Sequence, residues 1–126
     1  MAKTIATLLG VVFILVGLLG FVVPSLLGAH LSPAHNVVHL VSGAAALYLG
    51  LKGSLSGAKM FCMIFGTVYL LLGVVGFAMG SGDERMFDLA GILHLGTVDH
   101  IIHVLLGSIF LVGALMTGSA AASATD

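Results

Sequence analysis

The stretch IFGTVYLLLGVVGFA, residues 64–78, carries no charge and sets glycines at 66, 73 and 76. Fifty-six residues earlier (66 − 10 = 56) the chain reads LLGVVFILVGLLGFV, residues 8–22, with glycines at 10, 17 and 20. In that register Phe13 stands over Tyr69 and Phe21 over Phe77. The uncharged runs extend further, over residues 4–23 and 60–82. Roughly 20 apolar residues in a helix cross a bilayer core, so both runs read as membrane-spanning helices.

A second pair of stretches repeats in the same way. AHNVVHLVSG, residues 34–43, lies over VDHIIHVLLG, residues 98–107, at an offset of 64 (103 − 39 = 64), so that His39 matches His103 and Gly43 matches Gly107. Residues 35–51 and 100–117 are apolar apart from histidines, Asn36 and hydroxyl residues, near the lower end of the spanning range of about 17–25 residues. The difference between the offsets, eight residues (64 − 56 = 8), is an insertion in the loop of the second half. The expectation is an all-α integral membrane protein, a four-transmembrane-helix bundle forming one membrane domain over residues 1–126. It consists of two tandem helical hairpins, 4–51 and 60–117. A repeat of two helices restores the chain direction, so the halves run parallel about an axis along the membrane normal.

Composition agrees. Of 126 residues, 60% are hydrophobic and 7% charged, against about 25% charged in a soluble domain. Four basic and five acidic groups leave a formal net charge of −1 and no basic patch. With no phosphate loop or nucleophile–base pair either, nucleic-acid binding and ordinary hydrolysis are set aside. Cys62 is the single cysteine, which excludes an intrachain disulfide; it reads as a small core residue. Lys3 followed by an apolar run resembles a secretory signal. The run is longer than an ordinary signal core, no A-x-A-like site follows, and it has a counterpart in the second half, so helix 1 is expected to be retained.

Basic residues set the orientation. Lys3, Lys52 and Lys59 fall on one side and Arg85 alone on the other, beside Asp83, Glu84 and Asp88. This predicts both termini in the cytoplasm, with residues 118–126 a flexible cytoplasmic tail. Both histidine-bearing helix starts then face outward. Ser32 is positioned to cap helix 2 with Pro33 at its first position. Thr97 is the corresponding cap of helix 4, placing Asp99 in the first turn, where the helix dipole favours a carboxylate. The connection SGDERMFDLAGILHLGT is amphipathic enough for a short interfacial helix with Phe87, Leu89, Ile92 and Leu93 turned inward.

All six histidines (30, 35, 39, 94, 100 and 103) belong to the outer half. Residues four apart on a helix share a face, which pairs His35 with His39 and Asp99 with His103. If helices 2 and 4 meet near the twofold axis, these faces gather three imidazoles and a carboxylate, with His100 able to join from the side. The leading reading is structural: a His–His or His–Asp hydrogen bond clasping helices 2 and 4. Under it the protein is a non-enzymatic structural or accessory component, self-associating as a homo-oligomer or joining a larger membrane complex. The alternative is a cofactor site. His35, His39, Asp99 and His103, with His100 as a further candidate, suit a transition metal such as zinc, copper or iron. His39 and His103, on separate helices, could also be the two axial ligands of haem b, with electron transfer as the consequence. A proton relay lacks partners in the inner half. His30 and His94 read as solvated loop residues. The glycine stripes read as tight packing within the bundle or as a docking face.

HNVVHLVSGAAALYLG, FGTVYLLLGVVGF and LGTVDHIIHVLLG together resemble the domain-of-unknown-function 4383 family over most of residues 8–117. The family pattern is Asn-x-x-His-Leu at the start of helix 2 and Thr-x-Asp-Asn-x-x-His at the start of helix 4. Asn36, His39 and Leu40 match the first, and Thr97, Asp99 and His103 the second. His100 stands where Asn is usual, which sets it apart from any common site. The resemblance implies a small bacterial protein of the inner membrane with four spanning helices. It implies no reaction.

Overall fold

The structure, a computed structural model, describes residues 1–118. Four helices account for most of it: α1 Ala2–Val22, α2 Pro33–Leu51, α3 Leu55–Met79 and α4 Thr97–Leu115. Their lengths of 21, 19, 25 and 19 residues correspond to about 32, 29, 38 and 29 Å at 1.5 Å per residue. A bilayer core is about 30 Å thick, and all four are long and apolar enough to cross it. Their outer faces are apolar: Leu8, Val12, Leu15 and Leu19 on α1, and Ile64, Val68 and Leu71 on α3, are all exposed. Such a surface is matched by lipid chains, not by water.

The helices associate as two intimate pairs, α1 with α2 and α3 with α4, while α1 meets α3 across the centre and α2 hardly approaches α4 along the backbone. Glycines allow the close pairing. A Cβ on Gly10 would lie 2.9 Å from the Leu47 nitrogen, and one on Gly66 would lie 3.0 Å from the carbonyl oxygen of Gly107. Gly17 lies against Asn36 and Leu40, and Gly73 against His100 and Val104. Both glycine stripes are therefore spent inside the hairpins, where backbone approach adds packing that lipid cannot replace. Around the centre, Phe13, Phe61, Tyr69 and Phe110 form a ring-on-ring core with centroids 5.5–6.4 Å apart, floored by Ala2, Ala6, Ala58 and Ala114.

Two ends follow from this arrangement. At one, the Ala2 N–H donates to the Thr117 hydroxyl over 3.0 Å, and the buried Cys62 thiol lies 3.7 Å from the Ala2 carbonyl. Lys3, Lys52 and Lys59 belong to this end. The starts of α2 and α4 and the two longer connections lie at the other. Ser32 caps α2 as expected, accepting from the His35 N–H at 3.3 Å with Pro33 in the first turn. Ser54 caps α3 in the same way at 2.9 Å.

Two expectations are corrected, and one open condition is answered. The cap of α4 is Gly96, not Thr97; Asp99 accepts the Gly96 N–H at 2.8 Å, and the Thr97 hydroxyl instead donates to the Glu84 carbonyl. The connection 81–96 holds no helix. Its strands β1 (Phe87–Leu89) and β2 (Leu93–Leu95) pair antiparallel, with Phe87 opposite Leu95 and Leu89 opposite Leu93. The reason is local. Ala90 and Gly91 both take left-handed φ, 56° and 73°, the turn whose twist suits a hairpin, and the Asp88 carboxylate accepts from the Gly91 N–H. Leu89 and Ile92 are consequently exposed, and Leu95 is the residue that turns fully inward. Finally, α2 and α4 are not neighbours along their backbones; only side chains bridge them. The expected tail lies, beyond Gly118, outside the described residues.

Candidate metal centre

His35 and His39 sit one turn apart near the start of α2, and His103 sits at the corresponding depth of α4. Each offers one ring nitrogen such that the three lie within 4.8 Å of one another. The rings are close-packed: His35 and His39 have centroids 4.2 Å apart, and His35 and His103 6.0 Å. All three are buried, with 3%, 7% and 3% of their surface exposed. Aromatic neighbours fix them from behind. Phe13 stacks on His39 at 5.7 Å with a 5° angle between planes, and Tyr69 lies 5.4 Å from His103.

Hydrogen bonding decides which nitrogens are free. The Nδ1 of His35 lies 2.8 Å from the carbonyl oxygen of His30. A carbonyl only accepts, so Nδ1 carries the proton and Nε2 keeps its lone pair. Orienting a ring through its far nitrogen in this way is the usual arrangement behind a ligating histidine. The Nδ1 atoms of His39 and His103 are buried with no hydrogen-bond partner among the described residues, as are, away from this cluster, the Nδ1 of His100 and the Oδ1 of Asn36. Buried polar atoms are nearly always paired, so orphans of this kind call for an explanation.

Asp99, 2% exposed, lines a cavity beside the three rings, but its oxygens are committed elsewhere. They accept from the His30 backbone N–H at 3.2 Å, from the His30 ring at 3.0 Å and from Gly96. His30, expected as a solvated loop residue, is instead the link between the start of α2 and the start of α4, and no His–His hydrogen bond joins the helices among the described residues. His94 stays exposed, paired loosely across the hairpin with Asp88 at 3.4 Å. His100 is fully buried but points away from the other three. Its Nε2–H donates to the Arg85 carbonyl at 2.8 Å, and its ring lies on Phe77 against Gly76. Arg85 in turn places its guanidinium on the Phe77 carbonyl, satisfying a free acceptor at the end of α3. Asn36, at the position corresponding to His100, lies against Gly20 and reaches the Leu31 carbonyl at 3.4 Å.

Sequence reasoning missed His30 and the two ring supports. His30 had no readable signal, its partner being 69 residues away (99 − 30 = 69). Phe13 and Tyr69 did have one: they align between the halves, one residue type apart, just as His39 and His103 do.

The family model for a domain of unknown function (DUF4383) matches residues 3–116. No curated protein and no solved structure matches the chain. The chain belongs to the DUF4383 family.

Proposed function

We propose that this family member is a small multi-pass membrane protein that holds one divalent transition metal ion between His35, His39 and His103. The observation that carries the reading is the convergence of three buried imidazole nitrogens within 4.8 Å, two of the rings having an unpartnered Nδ1. Ligand nitrogens around a tetrahedral zinc sit roughly 3.3 Å apart, given Zn–N bonds of about 2.0–2.1 Å, so a small closure of side chains completes the site. Imidazole suits zinc, copper and iron alike, and three histidines leave a coordination position open. Zinc is the first choice because three neutral nitrogens meet its needs without a fixed geometry.

Two competing readings have less support. A clasp of α2 to α4 by these histidines needs hydrogen bonds between them, and that role falls to His30 and Asp99. Haem needs a wide flat slot, whereas the cavity beside the rings measures about 100 Å³. Arg85, the cation nearest the outer end, is engaged with Phe77. The lysine-bearing end is assigned to the cytoplasm of a bacterial cell by the positive-inside rule.

The test is elemental analysis of the purified full chain after zinc addition and desalting. About one zinc per chain is expected for the wild type and for His94→Ala, and less than a tenth of that for His39→Ala/His103→Ala. A wild type that emerges with no more metal than the double variant overturns the proposal.

A further inference from the structure

The cavity beside the three histidines is not closed. It runs from the rings to the lipid-facing side of the molecule between α1 and α4, beneath the turn Leu26–Gly28. Its polar residues are all at the inner end: His35, His39, His103 and Asp99. Its outer part is wholly apolar, formed by Val12, Val16, Leu27, Ile102 and Leu106. Val12, on the lipid-facing side of α1, is 43% exposed, so the mouth opens onto the surface that meets lipid chains. Water has no polar foothold along that route, while an apolar chain does.

From this we infer that the site takes a single-chain carboxylic acid from the bilayer, its carboxylate on the metal at the open position and its tail leaving between α1 and α4. The inference rests on the metal reading above. Three properties of the cavity select this class of ligand. The first is charge: three neutral imidazoles with the nearby Asp99 carboxylate leave one of a divalent ion's two charges unbalanced in a buried place, a costly state that an anionic oxygen relieves. Asp99 is close but already accepts from His30 and Gly96. The second is size. A dry cavity of about 150 Å³ accommodates a benzene ring, so the roughly 100 Å³ here favours a carboxylate head over a ring. The third is depth. His35 is the third residue of α2 and His103 the seventh of α4 (35 − 33 + 1 = 3; 103 − 97 + 1 = 7), about 3–9 Å inside the helix starts. With α2 and α4 about as long as the hydrocarbon core is thick, that is just beneath the interface and within reach of a fatty acid's head.

The chain has no tryptophan, which permits a clean reporter. Val12→Trp at the mouth and Leu71→Trp at an exposed site on α3 are each reconstituted in phosphatidylcholine nanodiscs and titrated with 11-bromoundecanoate, with and without one equivalent of zinc. Bound zinc is measured on the same samples. Expected is saturable quenching at position 12, at least tenfold tighter with zinc, against weak non-saturating quenching at position 71; acetate at the same concentration does not compete. Zinc bound at one per chain with identical non-saturating quenching at both positions overturns the inference and leaves the metal site standing. Saturable quenching indifferent to zinc overturns the placement of the carboxylate on the metal. Absence of bound zinc overturns the metal reading, and this inference with it.

Discussion

His30 spends its backbone in both directions: its N–H and ring go to Asp99, and its carbonyl holds the Nδ1–H of His35. A chain of hydrogen bonds thus leads from a helix cap on α4 to the tautomer of a ring on α2. Replacing Asp99 by Asn keeps the volume but turns one acceptor into a donor facing donors. The expected cost is about 1–3 kcal/mol in unfolding free energy. Loss of orientation behind a ligand is expected to weaken zinc about tenfold, at the lower end of what such partners contribute. Detergent unfolding and chelator competition measure the two effects, and an unchanged zinc affinity would separate His30 from the site. At this scale the sequence was partly legible. The four-residue spacing of His35 and His39, and the match of His39 with His103, were enough to anticipate that these three rings lie close together. His100 could not be placed, because only the packing of Gly76 shows which way its ring turns.

Among the elements, the glycine contacts within each hairpin set how closely its two helices pack. A Cβ at Gly107 would fall 2.5 Å from the Leu70 nitrogen and 2.8 Å from the Gly66 carbonyl, so neither side can yield without parting the helices. Gly107→Val is expected to cost on the order of 1–3 kcal/mol or more in SDS-induced unfolding, while Leu105→Val at an exposed position changes little. Because His103 lies one turn before Gly107, the same substitution should also release the zinc. The spanning helices were legible because absence of charge over twenty residues leaves few alternatives in a chain this apolar. The hairpin was not, since FDL and LHL alternate over only three residues each. The deciding feature, a turn at Ala90-Gly91, uses an alanine where glycine or asparagine would have signalled it.

For the molecule as a whole, the pairing order departs from what symmetry alone suggested. The histidine cluster was conditional on α2 and α4 meeting, yet the glycines draw α1 to α2 and α3 to α4, and the aromatic core sets α1 beside α3. The rings still meet because imidazoles reach across the gap that the backbones leave. As a single spanning helix, α3 holds Ser56 and Gly82, near its two ends, on opposite sides of the membrane. In a Cys62→Ala background, Ser56→Cys is expected to react with a membrane-impermeant maleimide only after the cytoplasmic side is opened, and Gly82→Cys in intact cells. Labelling of both from one side would remove α3 as a spanning helix.

The bond from Ala2 to Thr117 has a topological meaning as well as a structural one. It brings the start of α1 to the end of α4, at the same end as the short segment from Lys52 to Ser54 that joins the hairpins. Linking the first junction and opening the second would yield the order α3–α4–α1–α2 with every helix still in place. In that sense the bundle is a ring of two hairpins, and its linear order is one of two equivalent ways to cut it.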